Sequence, residues 1–187
     1  MRESDLDEVL RIEWSVFPEP WSRASFLHEL REHGAAHLYV ARSLAAGGAE
    51  SAGSARIVGY AGMWLVVDEA HITTLATHPD YRRCGVATRL LWHLFTVARQ
   101  CRCVRATLEV RPSNVAARRL YEIFGFLAVG RRKRYYASSG EDALILSREG
   151  LAESNPQVAA GGFLEKSRGG CRASFAPNPE PILRELD

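Results

Sequence analysis

Near the start of the chain, apolar residues recur at helical spacing: Leu6, Val9 and Leu10, with Glu13 on the same stripe, running on to Phe17. This predicts a helix over 4–15 with Ser4 as its N-cap. "FPEPW" then breaks the chain. A short second helix follows, capped by Ser22, with Phe26, Leu27 and Leu30 inward. "HLYVAR" and "RIVGYAGMWLVV" read as strands, the second with glycines that let it bend. "DE" turns the chain and "AHITTLAT" returns antiparallel. The period then changes to 3.6. Ala87, Leu90, Leu91, Leu94, Phe95 and Ala98 share one face of a long helix that starts right after Gly85. In "VRATLEV" the period returns to two, with Val104, Ala106, Leu108 and Val110 on one side and Arg105, Thr107, Glu109 and Arg111 on the other. A helix over 114–124 is capped by Ser113 or Asn114 and closed by Gly125 in the left-handed conformation. "FLAVGRRKRYY" and "DALILS" complete the strands. The order α-α-β-β-β-α-β-α-β-β predicts a mixed α/β domain on one sheet.

Two stretches show no such pattern. "SLAAGGAESAGSA" is small and glycine-rich and reads as a flexible loop. Beyond about residue 150 the periodicity ends, so 151–187 reads as a mostly disordered tail on a single domain covering 1–150. The chain has 187 residues and 47% hydrophobic content, enough for one buried core. A net charge of +2, with the basic residues not segregated into a long run, gives no case for nucleic acid. Cys84, Cys101, Cys103 and Cys171 match no zinc spacing and read as free thiols. No apolar run approaches the ~20 residues that cross a bilayer. The protein therefore reads as cytoplasmic, with no metal and no membrane partner.

Three places invite chemistry. In "LATHPDYRRCGVATRLL" a strand ends, a basic loop with one glycine follows, and a helix starts. A helix N-terminus offers unpaired N–H groups to a pyrophosphate. The loop is neither a Walker A nor a G-x-G-x-x-G loop, and taken alone an ordinary strand–helix turn is the simpler reading. Glu109 lies at the C-terminal end of its strand, where α/β sheets hold ligands, but an edge carboxylate or an arginine partner would look the same. Tyr121 shares the stripe Ala117, Leu120, Phe124, as a core tyrosine would. Asn114 is equally a helix cap.

Taken together, these segments resemble the GNAT superfamily of acetyl-CoA-dependent N-acetyltransferases. "RRCGVA" fits the [QR]-x-x-G-x-[GA] pyrophosphate loop of that superfamily. "PEPWSRASFLHEL", "HPDYRRCGVATRLL", "LEVRPSNVAARRLYEIFGF", "GRRKRYY" and "EDALIL", in that order, resemble its RimI-type branch, which acetylates the N-terminal alanine of a small-subunit ribosomal protein. The likeness spans roughly residues 4–147. It implies the GNAT fold: a single mixed, mostly antiparallel sheet flanked by helices. Relatives carry a strand ahead of the first helix. The sequence here opens at "MRESDL", so the sheet is expected to lack that edge strand unless the start lies upstream.

The resemblance also implies roles. The backbone of Leu75, Ala76 and Thr77 would hold the pantetheine arm and thioester carbonyl of acetyl-CoA, with Thr77 standing where an apolar Val is usual. N–H groups of Arg83, Cys84, Gly85, Val86, Ala87 and Thr88 would wrap the pyrophosphate, and Asn114 would contact the cofactor arm. Glu109 would be the general base, and Tyr121 the acid that protonates the departing thiolate. An α-amine has a pKa near ~7.7–8.0 against ~10.4 for lysine, so even an ordinary carboxylate suffices for an N-terminal acceptor. A proton passed from a phenol near ~10 to a thiolate near ~8.5 climbs about 2 kcal/mol. The cysteines are bystanders and transfer is direct. Trp21, Tyr135 and Tyr136 are candidates for the acceptor groove, with core packing as the competing reading. The expected partner is the N-terminus of a ribosomal protein. Two alternatives remain: a GNAT enzyme acting on lysine or a small amine, and an acyl-CoA-binding module without turnover.

Overall fold

The computed structural model describes residues 1–43 and 55–151. The glycine-rich segment 44–54, the tail from 152 and Cys171 lie outside the described residues. A single 3-10 turn, Glu3–Asp5, leads into α1 (Leu6–Val16) and α2 (Arg23–Arg31). Strands β1 (Ala36–Arg42), β2 (Ile57–Val66) and β3 (Glu69–Thr77) follow, then α3 (Val86–Gln100), β4 (Arg105–Val110), α4 (Val115–Ile123), β5 (Leu127–Tyr136) and β6 (Glu141–Glu149). The expected element order is observed throughout.

One end differs from expectation. The residue that ties down the start of the first helix is Asp5, not Ser4: the Arg2 N–H donates to Asp5 Oδ2 at 2.8 Å, and the Asp5 N–H returns to the Arg2 carbonyl at 3.0 Å. This reciprocal pair winds residues 3–5 as a 3-10 turn and leaves Ser4 inside it. Ser22 does cap α2, accepting from the Ser25 N–H at 3.0 Å.

The six strands form one sheet in the order β1-β2-β3-β4-β6-β5, and among the described residues β1 is the outer strand at its end of the sheet. Only β3 and β4 run parallel, and α3 makes the crossover that a parallel pair requires. β2 breaks register between Gly62 and Met63, consistent with the bend its glycines allow. Two apolar clusters lie on opposite faces. The larger joins α3 and α4 to Ala70, Ile72, Ala106 and Leu108. The smaller joins α1 and Phe26 to Ile57, Tyr60 and Ala76. With alternate residues of β3 and β4 packed into the larger core, their intervening residues share the opposite face.

The candidate acetyl-transfer site

The parallel pairing of β3 with β4 runs from Glu69 opposite Arg105 only as far as Ile72 opposite Leu108. Beyond that point β3 stays with β2, ending at Thr77 opposite Gly59, while Glu109 and Val110 stay with β6. The two central strands thus part company, and Glu109 is the first residue past the split. Main-chain groups of Thr73–Thr77 on the β4 side have no partner in the β4 ladder. An opening at the carboxyl ends of the strands is where sheets of this kind bind ligands.

The chain leaves β3 through a turn over Pro79–Tyr81 and enters α3 at Gly85, which has φ of 76°. A side chain at Gly85 would meet nothing within 4 Å, so this position is open and approachable. Arg83 also has positive φ, 62°, a conformation that costs a non-glycine residue roughly 1 kcal/mol. Two left-handed residues either side of Cys84 curl the backbone into a concave row of amides. The first bond of α3 is Arg89 N–H to the Gly85 carbonyl at 3.0 Å, so the amides of Val86, Ala87 and Thr88 have no partner within the helix. This loop fits a diphosphate through its backbone. The side chains of Val86 and Thr88 are buried and contribute packing instead. Asn114 serves as the cap: its Oδ1 accepts from the Ala117 N–H at 3.1 Å, and the cap leaves its Nδ2 donors uncommitted.

Glu109 is neither a solvated carboxylate nor an edge residue. Its side chain is 8% exposed; Oε2 lies 3.2 Å from His71 Nε2 and Oε1 3.2 Å from Arg132 Nη2. The His71 hydrogen bond, aided by the charges of His71 and Arg132 and opposed by burial, holds its pKa below the usual carboxylate value. Glu109 is therefore a weaker base than an ordinary glutamate and a stronger anchor for a cation.

Tyr121 is 7% exposed and belongs to the larger core. What fixes it is the end of its helix. The Gly125 N–H donates to the Glu122 carbonyl and the Phe126 N–H to the Tyr121 carbonyl, both at 3.0 Å, while the Tyr121 and Phe126 rings meet at 5.6 Å. This is a Schellman closure with its apolar contact, and Gly125 at φ of 79° makes it possible. Burial first, then the Tyr136 hydroxyl, raises the pKa of Tyr121 well above its ordinary value. Passing its proton to a thiolate therefore climbs more than the ~2 kcal/mol of an unperturbed phenol.

Tyr136 is the electrostatic neighbour of both candidates. Burial pushes its pKa up to about 12, the charge of Glu109 adds to that, and the Arg111 guanidinium stacked 3.6 Å over its ring opposes it. The Tyr135 ring meets that of Tyr136 edge-on, centroids 5.1 Å apart, and is 46% exposed. Of the two, Tyr136 is thus the better placed beside the site. The Trp21 ring packs at a tilt on Phe26 with centroids 5.3 Å apart, and the Trp21 backbone N–H donates to buried Glu13 at 2.7 Å. Glu19, in the turn before Trp21, accepts from the Ser138 N–H at 2.5 Å and ties that turn to the β5–β6 connection. Leu75 and Ala76 pack into the two cores. Thr77 keeps a buried hydroxyl with no partner among the described residues.

Orphaning that hydroxyl costs about 1–3 kcal/mol. Thr77→Val is expected to stabilise the protein by about 1 kcal/mol in urea unfolding, without changing the Kd for acetyl-CoA. A weakened Kd would assign the hydroxyl to the cofactor arm.

His71 escaped the sequence, because its meeting with Glu109 depends on the β3–β4 register, whereas the arginine partner that the plainer reading of Glu109 foresaw is Arg132, from the basic run 131–134.

A sheet whose central strands separate, a row of amides open at a helix start and the buried side chains of Glu109 and Tyr121 are what the structure offers for chemistry. The Acetyltransferase (GNAT) family model matches residues 6–126, and the chain belongs to this family. A relative from Bacillus subtilis (strain 168), provisionally named a ribosomal protein bS18-alanine N-acetyltransferase, is 39% identical over 78% of this chain and 90% of its own length. The ribosomal protein bS18-alanine N-acetyltransferase of Salmonella typhimurium (strain LT2) is 34% identical over 77% of this chain and 90% of its own. The crystal structure of the ribosomal-protein-S18-alanine N-acetyltransferase from Escherichia coli superposes with a TM-score of 0.67 at 30% identity, covering 83% of this chain and 93% of that one. The chain is thus an acetyl-CoA-dependent N-acetyltransferase. Among the described residues no helix is long and apolar enough to cross a membrane.

Proposed function

We propose that this chain transfers the acetyl group of acetyl-CoA to the N-terminal α-amine of an alanine-led, small-subunit ribosomal protein. The observation that carries the reading is Glu109. It is a buried carboxylate at the point where β3 and β4 separate. The names of the relatives supply the acceptor.

Acetyl-CoA brings an activated acyl group. The backbone of Leu75, Ala76 and Thr77 holds its arm along the free side of β3, and Asn114 Nδ2 adds a donor from α4. The amides from Arg83 to Thr88 take the diphosphate, with Cys84 and Gly85 in the curl between. Glu109 draws in the acceptor amine and takes the proton it sheds. Tyr121, mounted by the α4 closure, holds a hydroxyl proton for the leaving sulfur. Trp21 and Tyr135 border the acceptor groove, and Tyr136 lies at its inner end.

The preference for an α-amine follows from the weak basicity of Glu109. An α-amine near ~7.7–8.0 is substantially free at neutral pH, whereas a lysine near ~10.4 needs a base stronger than this one. The test uses two peptides with the alanine-led N-terminus of the ribosomal substrate and an internal lysine, one of them blocked at its N-terminus. Thiol release with mass spectrometry is expected to find acetyl only on the open N-terminus. Acetyl on lysine, or none despite tight acetyl-CoA binding, would overturn the reading.

A further inference from the structure

The turn between α1 and α2, residues 17–21, reads "FPEPW". Proline has no N–H, so only Phe17, Glu19 and Trp21 bring a main-chain donor to it. A turn so poor in donors cannot close on itself, and its anchors must come from outside. Two of the three donors end on one residue. The Phe17 N–H donates to the Glu13 carbonyl at 2.9 Å, and the Trp21 N–H to Glu13 Oε1 at 2.7 Å. Glu13 thus brackets the turn, with its main chain at one end and its carboxylate at the other.

A carboxylate is not what stability alone would select here. Glu13 is buried and its Oε2 has no partner among the described residues, which opposes folding whenever the group is ionised. What it holds is a turn that touches both halves of the sheet. On one side the Trp21 ring packs on Phe26, and Phe26 meets Tyr60 edge-on with centroids 5.8 Å apart, so the indole is seated on the smaller core. On the other side Glu19, at the middle of the turn, accepts the Ser138 N–H of the β5–β6 connection. The next residue of that connection, Ser139, accepts from Arg111 Nη1 at 2.6 Å, and the same guanidinium lies over the Tyr136 ring. A displaced turn would therefore shift Trp21 and release the tie to the Tyr136 side at once.

We propose that Glu13 is a positioning residue for the acceptor: its carboxylate fixes residues 17–21, and through them Trp21 and the Glu19–Ser138 bridge, at the groove that takes the protein N-terminus. It acts through the main chain of the turn. Glu109 is held by His71 and Arg132, and the α3 amides by their own helix, so the effect of Glu13 falls on acceptor binding and spares the cofactor. The proposal rests on the reading that Trp21 borders the acceptor groove.

The test is steady-state acetyl transfer to the open N-terminal peptide, with peptide and acetyl-CoA varied separately. Glu13→Leu stays apolar and buried but cannot accept from Trp21. It is expected to raise the peptide KM roughly tenfold or more, because fewer molecules hold the turn in place, with kcat and the acetyl-CoA KM unchanged. A merely unstable variant would instead lose active enzyme, lowering kcat and sparing both KM values. Glu13→Gln, which still accepts, should keep the natural peptide KM. Should Glu13→Leu fail to fold, Trp21→Pro, which lacks the N–H, is compared with Trp21→Ala, which keeps it, and the proline variant is expected to show the higher peptide KM. A natural peptide KM in Glu13→Leu, an equal rise in Glu13→Gln, or equal values in the two Trp21 variants overturns the proposal. Trp21→Ala also separates the two readings. A natural peptide KM there would sink the placing of Trp21 at the groove, whereas a raised one beside an unaffected Glu13→Leu would sink the role of Glu13 alone.

Discussion

Glu109→Gln is expected to lower kcat by roughly two to four orders of magnitude, while Tyr121→Phe lowers it by roughly ten- to a hundredfold. On the proposed mechanism the first loss is larger because the charge of Glu109 would do two things: take the proton shed by the attacking amine, and stabilise the positive charge that builds on nitrogen as the new bond forms. Its depressed pKa keeps the carboxylate ionised across the whole neutral range. The pH profile of kcat/KM should therefore rise with the ionisation of the acceptor amine, near ~8, and show no limb belonging to Glu109 above about pH 5. Glutamine would lower the height of that profile without moving its midpoint. The raised pKa of Tyr121 means that its proton is present at every working pH. Phenylalanine keeps the ring contact with Phe126, so Tyr121→Phe should lose rate with little change in thermal stability. A Tyr121→Phe enzyme at full kcat would reduce Tyr121 to a core residue.

Glu13→Gln should make the protein more stable at neutral pH by about 1–3 kcal/mol, and no more stable near pH 4.5. Glu13 is 2% exposed on α1; one oxygen accepts the Trp21 N–H, and the other has no partner among the described residues. Burial pushes its pKa up to about 7, against the smaller opposing effect of the Trp21 hydrogen bond. The sign follows from the order of the two ionisations. The unfolded chain releases this proton near 4.5, whereas the folded chain keeps it until about 7. The folded state binds more protons in that window, so this group's contribution to stability falls as pH rises through it and is constant above it. Glutamine imitates the protonated acid, still accepts from Trp21 and cannot ionise. Urea unfolding from pH 4 to 8 would show the natural protein sloping down relative to the variant between 4.5 and 7. Parallel curves would mean that Glu13 is solvated in the folded state.

Much of this could be read before the fold was known, and the reasons are physical. β4 alternates strictly, so Leu108 and Val110 had to face a core and Glu109 the other side. Gly125 after an apolar stripe forecast the closure that holds Tyr121. Gly85 between a basic loop and a periodic helix forecast the α3 start. The misreadings have causes too. Ser4 and Asp5 are both good caps, and the chain's own return to Arg2 decides between them. Glu13 kept the helical stripe of its apolar neighbours, but a pattern cannot say whether a charge on that stripe reaches water. His71 looked like one polar residue in a strand, because the pairing that brings it to Glu109 joins segments 38 positions apart along the chain. Choosing Tyr135 or Tyr136 needed the irregular register of β5 between Arg132 and Tyr136.

The alternation in β4 carries a consequence for how such a protein can change over generations. Ala106, Leu108 and Val110 fill the core while Arg105, Thr107 and Glu109 form the polar row, interleaved one for one. Gaining or losing a single residue within this strand would swap the two sets at once, emptying the core and scattering the row. With Glu109 in the proposed role, a slipped β4 would lose the fold and the reaction together, because the same parity serves both. Changes of length are tolerated only in the connections, and the chemistry inherits its constancy from the folding of one short central strand.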